Sequence, residues 1–75
     1  MDFVMPKLDH TMEEGIVVEW YAQEGKRVVK GDPIVSIETN KSVLDVESPV
    51  TGLLVKILAQ PGETVSVFGH LAIIE

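Results

Sequence analysis

At 75 residues the chain has room for one small domain and not for two. It holds no cysteine, which excludes a disulfide staple and a thiolate metal site and leaves any thiol chemistry to sulfur from outside the chain. Twelve acidic residues against six basic ones give a net charge of −6, the wrong sign for gripping the phosphates of a nucleic acid.

Short strands are expected throughout, because Val, Ile and Leu dominate the apolar residues and glycines and prolines fall at regular intervals between them. In chain order they are predicted near Phe3–Met5, Ile16–Tyr21, Val28–Val29, Ile34–Glu38, Val43–Glu47, Leu53–Leu58, Val65–Val67 and Leu71–Ile74. Helical spacing competes only over Leu53–Gln60, and Pro61-Gly62 would stop that segment after about two turns. No apolar run approaches the roughly 20 residues that cross a bilayer, so no membrane partner is expected. Neither a basic leader nor a low-complexity linker is visible, and the whole chain is expected to form one fold.

The segment Gly15–Glu38 repeats as Gly52–Glu75 at an offset of 37. Gly15/Gly52, Val18/Val55, Ala22/Ala59, Gln23/Gln60, Gly25/Gly62, Val28/Val65, Ile37/Ile74 and Glu38/Glu75 are identical pairs, and most others stay apolar. A unit this small cannot bury its own apolar face, so the copies must pack on each other. The expected fold is all-β: two small antiparallel sheets related by a pseudo-twofold axis, forming a flattened barrel or sandwich.

In the first copy the chain runs past Glu38 into Thr39-Asn40-Lys41-Ser42 and a further strand. Asn tolerates positive φ, so Asn40 and Lys41 suit the two central positions of a tight hairpin. The second copy ends at the equivalent residue, Glu75, so the hairpin tip and the termini should lie at opposite ends. The spacing leaves two readings open: an ordinary solvated turn lysine, or a lysine presented to another protein.

The ordered run Met5-Pro6-Lys7-Leu8, Thr11-Met12, Glu14-Gly15, Trp20, Glu24-Gly25, Lys30-Gly31-Asp32-Pro33, Ile37-Glu38-Thr39-Asn40-Lys41, Asp45-Val46-Glu47-Ser48-Pro49, Gly52, Gly62, Val65 and Ile73-Ile74-Glu75 resembles the lipoyl domain of the dihydrolipoyl acyltransferases of 2-oxo acid dehydrogenase complexes. The resemblance implies that Lys41 carries lipoic acid as an amide, attached by a lipoate–protein ligase or lipoyl transferase. It implies an arm that is reductively acylated at a thiamine-diphosphate 2-oxo acid decarboxylase, hands the acyl group to an acyltransferase core, and is reoxidised by dihydrolipoyl dehydrogenase. The domain itself would be a carrier, monomeric in isolation and without catalytic residues. A bacterial cytoplasm or a mitochondrial matrix is the implied setting, and the end at Glu75 reads as excision from a longer acyltransferase.

The resemblance also implies site roles. Glu38 would help the modifying enzyme select its lysine, with Thr39 and Ser42 supporting the turn. Gly25 and Gly52 would shape the turns around the hairpin. The Leu8–Gly15 loop, with Asp9, His10 and Thr11, would lie beside the hairpin and contribute to partner recognition, or else be a plain solvated connection. Asn40-Lys41-Ser42 departs from the Asp-Lys-Ala common in such domains, which bears on ligase and partner recognition. It also lacks the methionines that flank the lysine of biotinyl carriers, which share the fold. Alternatives are a biotinyl carrier, an unmodified adaptor on the same barrel, or a small enzyme. For the last, no nucleophile–base pair or phosphate-binding loop is present, and His10, Glu13 and Glu14 match no metal-ligand spacing.

Two further expectations concern surfaces. Trp20 and Tyr21 are adjacent in a strand, so one should pack inward and the other face outward. Asp45 and Glu47, with Glu38, Glu13 and Glu14, are expected either to give the lysine end an acidic field or simply to keep the domain soluble.

Overall fold

A computed structural model describes residues 1–75. Eight strands form: β1 Asp2–Val4, β2 Glu14–Trp20, β3 Arg27–Val28, β4 Pro33–Glu38, β5 Val43–Glu47, β6 Gly52–Ile57, β7 Thr64–Ser66 and β8 His70–Ile74. All eight predicted strands are present. Within Leu53–Gln60 no helix forms and residues 53–57 are strand, with alternating burial: Leu54 is buried while Leu53 and Val55 are exposed. Tyr21 and Leu58 fall outside their predicted strands for one shared reason. The amides of Tyr21 and Ala22 both donate to the Ile34 carbonyl, and those of Leu58 and Ala59 both donate to the Leu71 carbonyl, so each strand ends in an irregular pair.

The strands form two antiparallel four-stranded sheets, ordered β1-β8-β6-β3 and β5-β4-β2-β7. The repeat is therefore interleaved: β3 leaves the first copy to pair with β6, and β7 leaves the second to pair with β2. Equivalent hydrogen bonds cross between the copies. The Gly25 amide donates to the Leu54 carbonyl and the Gly62 amide to the Val17 carbonyl, both at 2.7 Å. The Leu54 amide donates to Lys26 and the Val17 amide to Glu63, both at 2.9 Å. These matched pairs establish the pseudo-twofold axis.

The core lies between the sheets and is built of equivalent pairs: Val17 with Leu54, Ile34 with Leu71, Val35 with Ala72, Ile37 with Ile74. Burying each large aliphatic of this set contributes about 1.5–3 kcal/mol, as an upper estimate. Trp20 packs partly inward, its ring edge-on to Phe3 with centroids 6.4 Å apart, and its indole N–H donates to the Ala59 carbonyl. Tyr21, just past the end of β2, faces outward, and its hydroxyl donates to Asp45.

The pairing also sets the two ends of the molecule. Glu38, Glu14 and Ser66 are neighbours at one end, through Ile16↔Glu38 and Glu14↔Ser66. Strand β8 starts there, where Gly69 accepts from Met5, and runs about 17 Å to Ile74. The Ile74 carbonyl accepts from the Met1 amino group, so both termini sit at the far end.

Candidate functional site

Strands β4 and β5 pair in register up to Glu38↔Val43, and Thr39–Ser42 forms the turn beyond them. The Thr39 amide donates to the Ser42 carbonyl at 2.8 Å, which leaves Asn40 and Lys41 at the two central positions. Both have negative φ, so the left-handed turn expected from Asn40 does not form. The reason is Thr39. Its Oγ1 accepts the amides of Lys41 and Ser42, each at 3.2 Å, and donates to the Ser42 carbonyl at 3.1 Å. One donor and two acceptor sites of a single hydroxyl are thus all used, and they close the turn without positive φ. Lys41 is exposed and forms no ion pair.

Glu38 lies on the outer face of its sheet, between Ile16 on β2 and Val43 on β5, all three exposed. A cleft of about 550 Å³ opens beside the turn, lined by residues 11–16 on one side and by Glu38, Thr39 and Asn40 on the other. The loop before β2 therefore does lie next to the hairpin. Two devices hold it there. The Asp9 carboxylate accepts from the Thr11 amide at 2.8 Å and the Thr11 hydroxyl at 3.0 Å. Met12 is buried, its sulfur accepts the Leu8 amide, and its methyl rests over Gly15. The two bonds from Thr11 lower the Asp9 carboxyl below its ordinary value, and the charge of Lys41 lowers it further. His10 is exposed in the same loop.

Several expected site residues lie elsewhere. Gly52 opens β6 beside Glu75, at the terminal end, and its φ is not positive. A Cβ there would run into the Glu75 carbonyl oxygen. Gly25 does take positive φ, 83°, but it bonds to Leu54 in the other sheet and not to the hairpin. Glycine is required at Gly52 by the close approach of the Glu75 backbone and at Gly25 by its positive φ, and at neither position by the lysine turn. Glu47 pairs with Pro33 at the end of β4 away from Glu38, and Asp45 is engaged by Tyr21. Of the five acidic residues grouped with the lysine end, Glu13, Glu14 and Glu38 line the cleft beside the hairpin, and Asp9 joins them within reach of the Lys41 charge.

One residue of this end was not anticipated. Phe68 follows β7, has φ 69° and is 70% exposed. The available signal was its alignment with Gly31 across the 37-residue repeat.

The sequence profile of the biotin/lipoyl family, described as "Biotin-requiring enzyme", matches residues 1–74. The chain is 43% identical over 61 residues to the mitochondrial pyruvate dehydrogenase complex protein X component of Chaetomium thermophilum, covering 81% of this chain and 14% of that protein. It is 41% identical over 70 residues to the dihydrolipoyllysine-residue acetyltransferase component of the acetoin cleaving system of Pseudomonas putida, covering 93% of this chain and 19% of that protein. The chain thus spans less than a fifth of the length of either relative. The solution structure of the lipoyl domain of the 2-oxoglutarate dehydrogenase complex from Azotobacter vinelandii superposes with a TM-score of 0.80 at 28% identity, covering 100% of this chain and 95% of that one. An all-β domain in two pseudo-symmetric sheets, a lysine at the tip of one hairpin and these relatives agree: the chain belongs to the biotin- and lipoate-attachment family and is a non-catalytic carrier domain of the lipoyl type.

Proposed function

We propose that Lys41 is the attachment lysine and that the group it carries is lipoate, joined through an amide to Nζ. The observation that carries this reading is the Thr39-closed turn, which holds an unpaired, exposed lysine at the end of the domain away from both termini. Asn40 and Ser42 flank the lysine, where biotinyl carriers place methionine, and this supports lipoate over biotin.

When bound, lipoate would supply a disulfide that takes up an acyl group with two electrons, is left as a dithiol once the acyl group is handed on, and closes again on oxidation. The chain's own contribution is mechanical and electrostatic. The hairpin fixes the root of the arm, the fold keeps the root clear of the termini, and tethering raises the local concentration of the arm's end at each enzyme it visits. Glu38, one strand pair from the tip, offers a fixed negative charge to the ligase or lipoyl transferase that modifies Lys41. Asp9, His10 and Thr11 present a second edge of the same surface.

The partners in this reading are a thiamine-diphosphate 2-oxo acid decarboxylase, an acyltransferase core and dihydrolipoyl dehydrogenase. The isolated domain is a monomer. A cysteine-free chain suits a reducing compartment, the bacterial cytoplasm or the mitochondrial matrix. The two relatives belong to a pyruvate dehydrogenase complex and an acetoin cleaving system and the structural neighbour to a 2-oxoglutarate dehydrogenase complex, and the carrier role is what the three share.

The test offers the domain both groups. It is incubated with lipoate, ATP and a lipoate–protein ligase, and separately with biotin, ATP and a biotin–protein ligase, and its intact mass is measured. A gain of one lipoyl group and no biotinyl group is expected. Biotinylation, or no gain with lipoate, overturns the reading.

A further inference from the structure

Phe68 is the one residue other than glycine whose φ falls in the left-handed region. The repeat shows what that position ordinarily takes. Gly31 stands 37 residues earlier with φ 93°, and its amide donates to the Ser48 carbonyl at 2.9 Å, as the Phe68 amide donates to the Met5 carbonyl at 2.8 Å. The same turn is thus built once with glycine and once with phenylalanine. A bulky residue in this conformation is strained. Phe68 recovers little of that by packing, since it is 70% exposed, more than any other large apolar side chain of the domain. Strain that the core does not repay points to a use outside the core.

Its position specifies the use. The Val67 amide donates to the Glu13 carbonyl, and Ser66 pairs with Glu14. Both glutamates line the cleft beside Thr39 and Asn40. Phe68 therefore stands at the lysine end, on the flank where β7 lies two strand spacings, about 10 Å, from β4. An exposed ring at the same end as these two acidic residues, on a domain of net charge −6, matches an apolar pocket bordered by lysine or arginine.

We infer that Phe68 is a docking residue for the thiamine-diphosphate enzyme that loads the arm on Lys41; this rests on the carrier reading. An enzyme that modifies the Lys41 amine need only close on the hairpin. An enzyme that works on the far end of an arm meets the whole end of the domain, Phe68 included.

The test uses the lipoylated domain and its Phe68→Asn and Phe68→Leu variants. Asn tolerates the left-handed conformation, so the turn survives, and Leu keeps an apolar side chain. Each is offered to the pyruvate, 2-oxoglutarate and acetoin enzymes, and the rate of acylation is followed against domain concentration. With the enzyme that acylates the parent, Phe68→Asn should raise KM for the domain at least about fivefold with kcat little changed, and Phe68→Leu should lie between. Lipoylation rates of the unmodified domains should be equal. An unchanged KM for Phe68→Asn overturns the docking role, and so does a lipoylation rate that falls in step with it. A parent domain that takes no lipoyl group, or that none of the three enzymes acylates, sinks the carrier reading itself and the docking role with it.

Discussion

The hydroxyl of Thr39 accepts the backbone amide of Lys41 at 3.2 Å, and through this bond a buried side chain sets the presentation of an exposed one. The same oxygen also bonds the amide and the carbonyl of Ser42, so every polar contact that shapes the turn passes through one residue. Thr39→Val keeps the shape and removes all three bonds. It should destabilise the domain by about 1–2 kcal/mol and speed amide exchange at Lys41 and Ser42. Thr39→Ser should restore both. Denaturant unfolding and hydrogen exchange measure the two effects. Unchanged exchange at Lys41 in the valine variant would show that the strands alone hold the turn.

Gly15 gives a second prediction, on packing. A Cβ at this position would sit 2.6 Å from Cγ2 of Ile37, and about as near to the methyls of Met12 and Met5 as tight contact allows. Ile37 is fully buried and β-branched, so it has little room to yield. Gly15→Ala should cost about 1–3 kcal/mol by overpacking and loosen the Met12 anchor of the loop beside the hairpin. Thermal unfolding measures the first effect, and the chemical shift of the Met12 methyl reports the second.

The strain at Phe68 can be read independently of any partner. Phe68→Gly relieves a left-handed residue but adds backbone freedom to the unfolded chain, and the two effects partly cancel. The net expectation is a gain of about 0.5–1 kcal/mol in unfolding free energy. A loss of stability would mean that the ring packs in solution, contrary to its exposure.

Tyr21 carries the pH prediction. Its hydroxyl donates to Asp45 Oδ1 at 2.9 Å, and this bond, with the nearby negative charge, raises the phenol above its ordinary 10.0. A pKa raised by folding contributes stability that is fully present below the unfolded value near pH 10 and is lost as pH rises through the folded value. The domain has a single tyrosine, so absorbance titration reads it directly. The midpoint should lie above 10, and Asp45→Asn should bring it back toward 10. A midpoint that does not respond to Asp45→Asn would contradict the bond.

Much of this architecture is legible in the chain because one physical signal repeats. Apolar alternation broken by glycine and proline placed all eight strands, and the 37-residue offset required two copies that pack on each other. The offset did not show that β3 and β7 change places, since pairing between copies satisfies the same pattern as pairing within one. Sequence determines where the lysine turn falls but not its conformation. Tolerance of positive φ at Asn40 is a permission, whereas the Thr39 hydroxyl supplies bonds that make negative φ sufficient. Glu47 lies two residues from Asp45 in the same strand, but position along the strand decides the end, and Pro33↔Glu47 lies away from the lysine. A turn is the local expectation at Gly52, yet its necessity comes from the carbonyl of Glu75, 23 residues on, which local sequence does not display.

The central claim is that Lys41 alone receives the lipoyl group. The most direct measurement is intact mass and peptide mapping of the domain and of Lys41→Arg after reaction with lipoate, ATP and a lipoate–protein ligase. The account predicts one lipoyl group on the parent, mapped to Lys41, and none on Lys41→Arg, although four other lysines remain. Modification of the variant, or of any other lysine in the parent, would contradict it.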